Sequence, residues 1–353
     1  MSSAALDSRP LDVLAAYGAA GARAESVAIG LINRTFVLYA SDQPRFVLQR
    51  LHPIFAPQVN LDIEALTEVL ASRGLTTPRL VRTRDGAAWF VSDGTWRMIT
   101  YVPGRTLVRL EGNPRTARAA GALVGRFHAA LADVSHTFHF TRPAAHDTPG
   151  HVAALEHALD THAAHRLFDA IAPVAQSILA HARSLPPLPV TRTRIVHGDL
   201  KISNVLFHDD LTGARALIDL DTLAHGAIPV ELGDALRSWC NAAGEDEAEP
   251  TFDATVFRAA IAGYAQTAGA LLESAERENL VLGVETICTE LAARFCKDAF
   301  EERYFGWNAE RFASRAEHNA LRARGQLALA RSVRAQRRAL EGEVKVEVRG
   351  RER

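Results

Sequence analysis

The chain has 353 residues, of which 48% are hydrophobic and 23% are charged, a composition typical of folded soluble proteins and not of disordered or fibrous ones. Its 40 Lys and Arg residues balance 41 Asp and Glu residues, for a formal charge of -1, so no overall electrostatic field favours nucleic acid or an anionic membrane as a partner. At about 100–200 residues per domain, the length predicts two domains.

The cysteines and the apolar runs indicate the compartment. Cys240, Cys288 and Cys296 are odd in number and far apart, which is typical of neither a disulfide framework nor a thiolate zinc site and favours a reducing environment. No run approaches the ~18 uninterrupted apolar residues of a membrane span, and the N-terminal segment carries charged side chains where a secretory signal needs an apolar core. We therefore expect a cytoplasmic protein that acts without a membrane.

The first hundred residues read as a small sheet with helices. Apolar spacing predicts a helix over 10–24, and the β-branched runs VAIGLINRTFVLYA and RFVLQRL, separated by SDQP, predict a hairpin. Helical spacing returns over 61–74, where Gly74 follows a basic residue, as at many helix ends. The runs AAWFVS and WRMITYV then predict a second hairpin around Asp93-Gly94.

After Pro103-Gly104 the character of the chain changes. An Ala- and His-rich helical stretch covers about 113–185, a Pro-rich break follows, and a short β section covers 194–223. The pattern is helical again from about 230 to 340. The last residues, 341–353, are highly charged without a wide apolar face, so we expect a solvated tail there.

The β section carries the polar residues that indicate chemistry. The strands NVLF and ALIDL flank a turn, and a hairpin brings its two ends together. Asp199, Lys201 and Asn204 precede or begin the first strand, while Asp219 and Asp221 lie at the end of the second. We therefore expect Asp199, Asn204 and Asp219 to converge.

That convergence has a chemical meaning. A loop Asp accepts a proton from a substrate hydroxyl, and an Asn five residues later, beside a second carboxylate, supplies the hard oxygen ligands that Mg²⁺ prefers with phosphates. Asp199 and Asn204 have this spacing, and Lys201 lies where it meets a transferring phosphoryl group. The pattern predicts phosphoryl transfer. The scattered histidines lack an accompanying carboxylate signature, and we assign no metal to them.

Residues 196–222 resemble the catalytic and metal-binding segments of the aminoglycoside phosphotransferase-like kinases, which are relatives of protein kinases. The segments GLINRTF and GALVGRFHAAL resemble that family's nucleotide-loop strand and the first helix of its larger lobe. Within the family the chain is most similar to N-acetylhexosamine 1-kinases, through RFVLQRLHPIFAPQ, WRMITYVPGRT, VHGDLKISNVLF, IDLDT with GDALRSW, and RFCKDAFEERYF followed by HNALRARGQLAL.

The resemblance implies a bilobal α+β protein-kinase-like fold with ATP and Mg²⁺ as cofactors. An antiparallel-sheet, nucleotide-binding lobe would cover 1–97, a hinge 98–104 and a mainly helical catalytic and substrate-binding lobe 105–340. The implied enzyme is a phosphotransferase with an alcohol group as acceptor. It would act as a monomer or homodimer.

The resemblance also assigns roles. Asp199 would act as the base or orient the acceptor hydroxyl, with Lys201 as the second catalytic residue, and Asn204 and Asp219 would bind Mg²⁺. The nucleotide would meet residues of the first lobe and the hinge: Gly30, Asn33, Thr35, Gln49, Arg50, Glu64, Met98, Thr100 and Val102. The substrate would meet Asp221, Asp234, Arg237 and Arg294. Each has an alternative: a second metal for Asp221, a hydrogen bond to the loop that carries Asp199 for Asp234, and a surface or ion-pair position for the two arginines.

One position departs from the family pattern. Kinases of this type carry a Lys in the third strand, where RFVLQRL offers Gln49 and then Arg50. Adjacent strand residues point to opposite faces, so only one of them serves. Either Gln49 makes a neutral contact with the phosphates or a bulge turns Arg50 inward, and the family's ion pair with Glu64 lacks its lysine here.

The sequence is compatible with several acceptor molecules. The first expectation is the anomeric hydroxyl of an N-acetylhexosamine; the others are an aminoglycoside, or a metabolite such as homoserine or choline. The acidic run Glu245, Asp246, Glu247 and Glu249 would line a site for a polycation, or it is simply a solvated loop. A nucleotide-binding pseudokinase is the non-enzymatic alternative, favoured by Gln49 alone.

Overall fold

The computed structural model describes residues 11–27, 33–110, 112–142 and 146–349. These residues form two compact units. One contains the described residues up to Pro103 together with Ser135–Arg142, and the other contains the described residues of 104–134 and from 146 onward. The division after Pro103 lies within the segment 98–104 that was expected to be the hinge, whereas no sequence pattern predicts that the segment 135–142 belongs to the first unit.

The first unit is built on an antiparallel sheet. Its strands follow the order β1-β2-β3-β6-β4, and β5 pairs with β6 outside that path. In chain order, its elements are α1 (Leu11–Ala16), β1 (Arg23–Val27), β2 (Arg34–Ala40), β3 (Gln43–Arg50), α2 (Val59–Ser72), β4 (Leu80–Val81), β5 (Phe90–Val91) and β6 (Thr95–Thr100).

Both predicted hairpins of this unit are confirmed. β2 pairs with β3 across a turn at Ser41 and Asp42, whose positive φ values of 49° and 61° match the twist of a tight hairpin. β5 pairs with β6 around Asp93. The predicted helix over 61–74 forms as α2, but the helix predicted over 10–24 is wrong in its second half, because the chain leaves the helix near Gly18, at φ +69°, and then forms β1.

The core of the first unit decides which side chains of the sheet are available for function. Residues of α1 pack against one sheet face, in a cluster of Val13, Leu14, Tyr17, Leu38, Leu48, Trp96 and Met98. Because side chains alternate along a strand, the residues next to Leu48 and Met98 point to the opposite face. There Gln49 lies directly across from Arg97 on the paired strand.

The second unit is mainly helical. Its elements are β7 (Arg105–Thr106), α3 (Pro114–Leu131), α4 (Thr148–Thr161), α5 (Phe168–Arg183), β8 (Thr193–Val196), β9 (Val205–Phe207), β10 (Ala214–Leu217), β11 (Ala224–Ala227), α6 (Ile228–Trp239), α7 (Ala254–Ala268), α8 (Ser274–Glu278), α9 (Leu280–Glu301) and α10 (Arg315–Arg349). Its strands form two small sheets, β10-β9-β7 and β11-β8. The predicted hairpin of NVLF and ALIDL is confirmed as β9 and β10.

The C-terminal residues differ from the expected solvated tail. Helix α10 continues through 341–349, and Val344 and Val348 are each 3% exposed. These two valines are four residues apart and therefore lie on one face of the helix. Two apolar side chains at this spacing are enough to pack a helical end whose other faces are charged.

The cysteines and the apolar character of the helices can be read from the described residues. Cys240, Cys288 and Cys296 are free and buried, and burial raises the pKa of the Cys288 thiol to about 12, which makes that thiol unreactive at neutral pH. Among the described helices, none combines the length and the apolar character that crossing a membrane requires.

Candidate active site

The loop of residues 197–204, between β8 and β9, is called the catalytic loop below. Asp199 Oδ2 accepts hydrogen bonds from Lys201 Nζ at 2.6 Å and from Asn204 Nδ2 at 3.0 Å. Asn204 Nδ2 also donates to the Asp199 carbonyl oxygen at 2.8 Å. These contacts hold the Asp199 carboxylate in one orientation and turn the amide nitrogen of Asn204 towards it.

Asp219 completes the group from the far end of the hairpin. Its Oδ2 lies 4.0 Å from Lys201 Nζ, and the preceding residue, Ile218, donates its backbone N–H to the Asn204 carbonyl at 3.0 Å. Asp219 has φ +64°, in the left-handed region that Asp tolerates better than most residues. The structure thus brings together Asp199, Lys201, Asn204 and Asp219.

Carboxylates outnumber cations in this group. Desolvation, then the charge of Asp221 and that of Asp199, raise the pKa of Asp219 to about 6, against the opposing effect of Lys201. Desolvation lowers the pKa of Lys201, but the attraction of Asp199 and Asp219 outweighs it, so the net shift is upward and the ammonium is charged. A surplus of negative charge at oxygen ligands is what a hard divalent cation neutralises.

Helix α6 holds the catalytic loop through Glu231. This buried carboxylate accepts the backbone N–H of His197 at 2.8 Å and of Gly198 at 3.0 Å. Burial raises the pKa of Glu231, but His128, His197 and these hydrogen bonds outweigh burial, and the net shift is downward. Glu231 is therefore ionised, and its hydrogen bonds to the loop are charge-assisted.

The same helix holds the loop at three further points. Asp234 Oδ2 accepts the N–H of Leu200 at 3.0 Å, and Trp239 Nε1 donates to the Leu200 carbonyl at 2.8 Å. Ser238 Oγ accepts the N–H of Ile202 at 3.1 Å. Glu231, Asp234 and Ser238 are spaced three and four residues apart, so they share the face of α6 that meets the loop.

Gly198 is required by its close contact with the chain that follows Asp219. Its φ is +78°, and a Cβ at this position would lie 2.4 Å from the Thr222 carbonyl oxygen. Thr222 Oγ1 donates to the His197 carbonyl at 2.8 Å. These contacts join the start of the catalytic loop to the segment that carries Asp219 and Asp221.

Asp234 and Arg237, two of the candidate substrate residues, occupy the structural alternative: they bond to each other and to other groups of the protein. The side chains of Asp234 and Arg237 are 7% and 6% exposed and bond to each other at 2.8 Å. Arg237 also reaches Glu245 at 2.7 Å, while Asp234 holds the Leu200 N–H. Burial raises the pKa of Asp234, but Arg237 outweighs it and the net shift is downward. In the structure this pair supports the catalytic loop.

The other two expected substrate residues differ in exposure. Asp221 is 2% exposed, and its charge contributes to the raised pKa of Asp219. The side chain of Arg294 is 18% exposed and lies 3.7 Å from the buried Glu290. Its guanidinium stands over the ring of Phe305, 5.7 Å from the centroid.

The acidic run is partly neutralised within the protein. Glu245 pairs with Arg237, and Asp246 accepts hydrogen bonds at 2.8 Å from a histidine and an arginine of α10. Glu247 and Glu249 line an open depression of about 460 Å³ together with Arg109. Two of the four carboxylates are thus already engaged by cations of the chain.

In the first unit, Gln49 belongs to a polar row across three strands. Gln49 Nε2 donates to Thr35 Oγ1 at 3.1 Å, and Gln49 Oε1 accepts from Arg97 Nε at 2.9 Å and Nη2 at 2.7 Å. Arg97, which sequence reasoning missed, is 2% exposed. Arg97 meets Gln49 through the pairing of β3 with β6, which belong to different hairpins, so no local pattern in the sequence indicated this contact.

Arg50 and Glu64 have other partners. Arg50 points towards the turn before β6, where it contacts the carbonyl and the carboxylate of Asp93. The register of β3 on β6 is regular at Gln49 and Arg50, so no bulge turns Arg50 towards the other face. Glu64 accepts a hydrogen bond from Arg82 Nε at 2.7 Å, and this arginine is the partner of Glu64 in the structure.

The remaining expected nucleotide residues fall in three places. Gly30 lies outside the described residues. Asn33 Oδ1 accepts the backbone N–H of His52 at 2.9 Å. In the expected hinge, Met98 is buried in the core cluster, Thr100 Oγ1 accepts a backbone N–H at 2.9 Å, and Val102 is half-buried.

One protein-family model matches more than half of the chain. The family model described as "Phosphotransferase enzyme family" matches residues 23–270. A homoserine kinase of Methylobacterium nodulans is 29% identical over 272 residues, which are 77% of this chain and 78% of that protein.

Solved structures show the same fold. An aminoglycoside phosphotransferase from Alicyclobacillus acidocaldarius is 17% identical with a TM-score of 0.61, covering 96% of this chain and 99% of that one. An amicoumacin kinase in complex with AMP-PNP and Ca²⁺ is 16% identical with a TM-score of 0.58, covering 85% of this chain and 87% of that one. At these identities the likeness concerns the fold, and it confirms the expected kinase-like α+β architecture.

The raised pKa of Asp219 predicts a stability effect. Because the folded protein holds this proton more tightly than the unfolded chain, ionised Asp219 destabilises the fold as the pH rises from about 4 through 6. Asp219→Asn is therefore expected to raise the thermal midpoint at pH 7.5 without divalent cations, and to raise it less at pH 5. Scanning calorimetry at the two pH values measures this. A lower midpoint of the variant at pH 7.5 would contradict the electrostatic account.

Proposed function

Because the chain belongs to the phosphotransferase enzyme family and is a small-molecule kinase, we propose that it transfers the γ-phosphoryl group of ATP to a hydroxyl of a small polar metabolite with Mg²⁺ as cofactor. The observation that carries this proposal is the convergence of Lys201 and Asn204 on the Asp199 carboxylate, with Asp219 Oδ2 4.0 Å from Lys201 Nζ. The pseudokinase alternative is set aside, because the full set of expected catalytic groups is retained in an enzyme family.

Asp199 is proposed to accept the proton of the acceptor hydroxyl. Its Oδ2 is oriented by Lys201 and Asn204, so the carboxylate is presented in a fixed position. Positioned acid–base help of this kind is worth roughly 10²–10⁴ in rate. Lys201, which lies between Asp199 and Asp219, is proposed to meet the transferring phosphoryl group and to neutralise its charge.

The residues present fit a hard divalent cation. The Asn204 amide nitrogen faces Asp199, which leaves Asn204 Oδ1 as a ligand oxygen. Asp219 offers a carboxylate, because the single positive charge of Lys201 faces two carboxylates, those of Asp199 and Asp219. Mg²⁺ would neutralise phosphate charge in such a site. The amicoumacin kinase of similar fold was solved with AMP-PNP and Ca²⁺, which supports a nucleotide and a divalent cation as cofactors here.

On the nucleotide side, we propose that Gln49 replaces the strand lysine. Arg97 binds Gln49 Oε1, which fixes the amide so that Nε2 presents its two N–H groups on the side of Thr35. One N–H reaches Thr35 Oγ1, and the other is available to a phosphate oxygen. Arg50 is less suited, because it is drawn to Asp93. Neutral hydrogen bonds are weaker than ionic ones, so this contact would bind phosphate less tightly than a lysine.

For the acceptor, we propose an N-acetylhexosamine first, phosphorylated at the anomeric hydroxyl. The support is the resemblance of both units to hexosamine kinases, including the stretch that carries Arg294. Tyr304 in this stretch is 50% exposed, and Trp307, two residues after its end, is 36% exposed; both are aromatic side chains of the kind that pack against sugar rings. A polycationic aminoglycoside is less favoured, because Glu245 and Asp246 are engaged by cations of the chain.

Homoserine is the second candidate acceptor. It rests on the homoserine kinases of Methylobacterium nodulans and Granulibacter bethesdensis, each 29% identical to this chain. An amino-acid acceptor needs a cation for its carboxylate, and the partly exposed Arg294 offers one. The reaction and its catalytic residues are the same for both acceptors, so only the product distinguishes them.

Incubation with Mg-ATP and separate acceptors tests the proposal. N-acetylglucosamine, N-acetylgalactosamine, homoserine, choline and an aminoglycoside are offered, and phosphorus NMR identifies the phosphorylated atom. Asp199→Asn is expected to lower turnover by at least about 100-fold. The matched control, Asp209→Asn, changes an Asp in the exposed turn of the same hairpin and is expected to leave turnover unchanged.

A sugar 1-phosphate formed by the unmutated protein would support the hexosamine, and O-phosphohomoserine would replace it with the second candidate. Unchanged turnover in Asp199→Asn would overturn the role of that residue whatever the acceptor. Binding of Mg-ATP without any product would contradict every acceptor named here.

The proposed role of Gln49 predicts a difference between neighbours. Gln49→Glu keeps an oxygen for Arg97 but removes the N–H donor and adds a negative charge, so ATP affinity is expected to fall by about tenfold or more. Arg50→Ala, the control on the opposite face, is expected to change ATP affinity by less than about threefold. Calorimetric titration with Mg-ATP measures both. A larger loss in Arg50→Ala would reverse the assignment.

A further inference from the structure

A second group of metal-ligating side chains lies in the first unit and shares no residue with the catalytic group. It consists of Asp62, in the first turn of α2, and of His136 and His139 in the segment 135–142. Asp62 Oδ1 is 2.8 Å from His136 Nε2 and 2.8 Å from His139 Nδ1. One ligand atom from each of the three residues lies within 4.8 Å of the others.

The Asp62 carboxylate is prepared for a cation. Its side chain is 1% exposed, and the backbone N–H groups of His139 and Phe140 donate to it at 3.0 and 3.1 Å. Burial raises the pKa of Asp62, but the hydrogen bonds from His139 and His136 outweigh it and the net shift is downward. A buried, ionised carboxylate with a fixed orientation is the usual support of a metal ligand set.

We propose that Asp62, His136 and His139 bind a divalent transition metal, with Zn²⁺ as the first choice. Two imidazoles and one carboxylate form a common zinc ligand set, with a fourth position left for water. Imidazole nitrogen favours Zn²⁺ over Mg²⁺, so this site and the proposed catalytic site select different ions.

The two contacts of Asp62 with the histidines need only a small adjustment. With zinc–ligand distances of about 2.0–2.2 Å, tetrahedral ligand atoms lie about 3.3 Å apart, so each histidine nitrogen would move away from Asp62 Oδ1 by about half an ångström. His136 would bind through Nε2 with its proton on Nδ1, and His139 through Nδ1 with its proton on Nε2. A doubly protonated ring would release one proton to solvent. The His139 side chain is 49% exposed, which gives the ion and its water ligand access.

Metal binding would fasten the segment 135–142 to α2. His136 and His139 are 74 and 77 residues from Asp62 in the sequence, so a shared ion closes a long loop. An ion that binds the folded chain and not the unfolded chain stabilises the fold by an amount that grows with the ion concentration relative to its Kd. The expected signature is therefore a thermal midpoint that rises with Zn²⁺ and returns to its starting value with a chelator.

Titration of the full chain with Zn²⁺ tests the proposal, with excess Mg²⁺ present to occupy the catalytic oxygen ligands. The unmutated protein is expected to bind one Zn²⁺ ion and to gain thermal stability. His139→Ala removes the most exposed ligand and is expected to lose at least about tenfold in Zn²⁺ affinity together with the gain in stability. The matched control, His157→Ala, changes an exposed histidine outside the cluster and is expected to retain both.

A second measurement, with a second ligand variant, keeps the test decisive if one variant unfolds. Co²⁺ bound by nitrogen and oxygen ligands in a tetrahedral site gives visible absorption bands, which are expected in the unmutated protein and in His157→Ala but not in His139→Ala or His136→Gln. Equal Zn²⁺ affinity in His139→Ala and the unmutated protein would overturn the proposal. So would a lack of Zn²⁺ binding by the unmutated protein, which would leave the cluster as a hydrogen-bonded anchor.

Discussion

The candidate site depends on hydrogen bonds between the backbone of the catalytic loop and side chains of α6. Glu231 accepts two successive N–H groups, of His197 and Gly198, and Asp234 accepts that of Leu200. A loop has no strand or helix partner for these donors, and unpaired donors in a buried position cost roughly 1–3 kcal/mol each. The two carboxylates satisfy them and thereby fix the backbone on both sides of Asp199.

Fixing the backbone has a chemical consequence. Lys201 and Asn204 contact Asp199 from within the same loop. Asp219 follows β10, which pairs antiparallel with β9 and so ends beside the start of β9. Each carboxylate of α6 already has protein partners: Asp234 pairs with Arg237, and Glu231 accepts two N–H groups of the loop and lies 3.4 Å from His128 Nε2. The carboxylates on either side of Lys201, those of Asp199 and Asp219, are therefore the ones left for a cation and phosphates.

Sequence reasoning succeeded where the determinants are local. The spacing of Asp199 and Asn204 and the hairpin before Asp219 lie within about two dozen residues, so turn chemistry and strand periodicity predict their convergence. It failed where partners are distant. Glu231 is 34 residues from His197, and the groups around Arg97 and Asp62 assemble only when strands or segments far apart in the chain pack. The prediction of a solvated tail at 341–349 failed for another reason: two valines in a charged stretch carry too weak a periodic signal to indicate a packed helix.

The most direct test of this account is hydrogen exchange of the catalytic loop in Glu231→Ala, followed by mass spectrometry, with Glu249→Gln as the control for loss of an exposed carboxylate. Exchange across 197–204 is expected to accelerate by at least about tenfold, since the lost hydrogen bonds are charge-assisted, while the sheet of the first unit keeps its protection. Unchanged exchange in this loop would contradict the central claim, because the backbone around Asp199 would then be held by something other than α6.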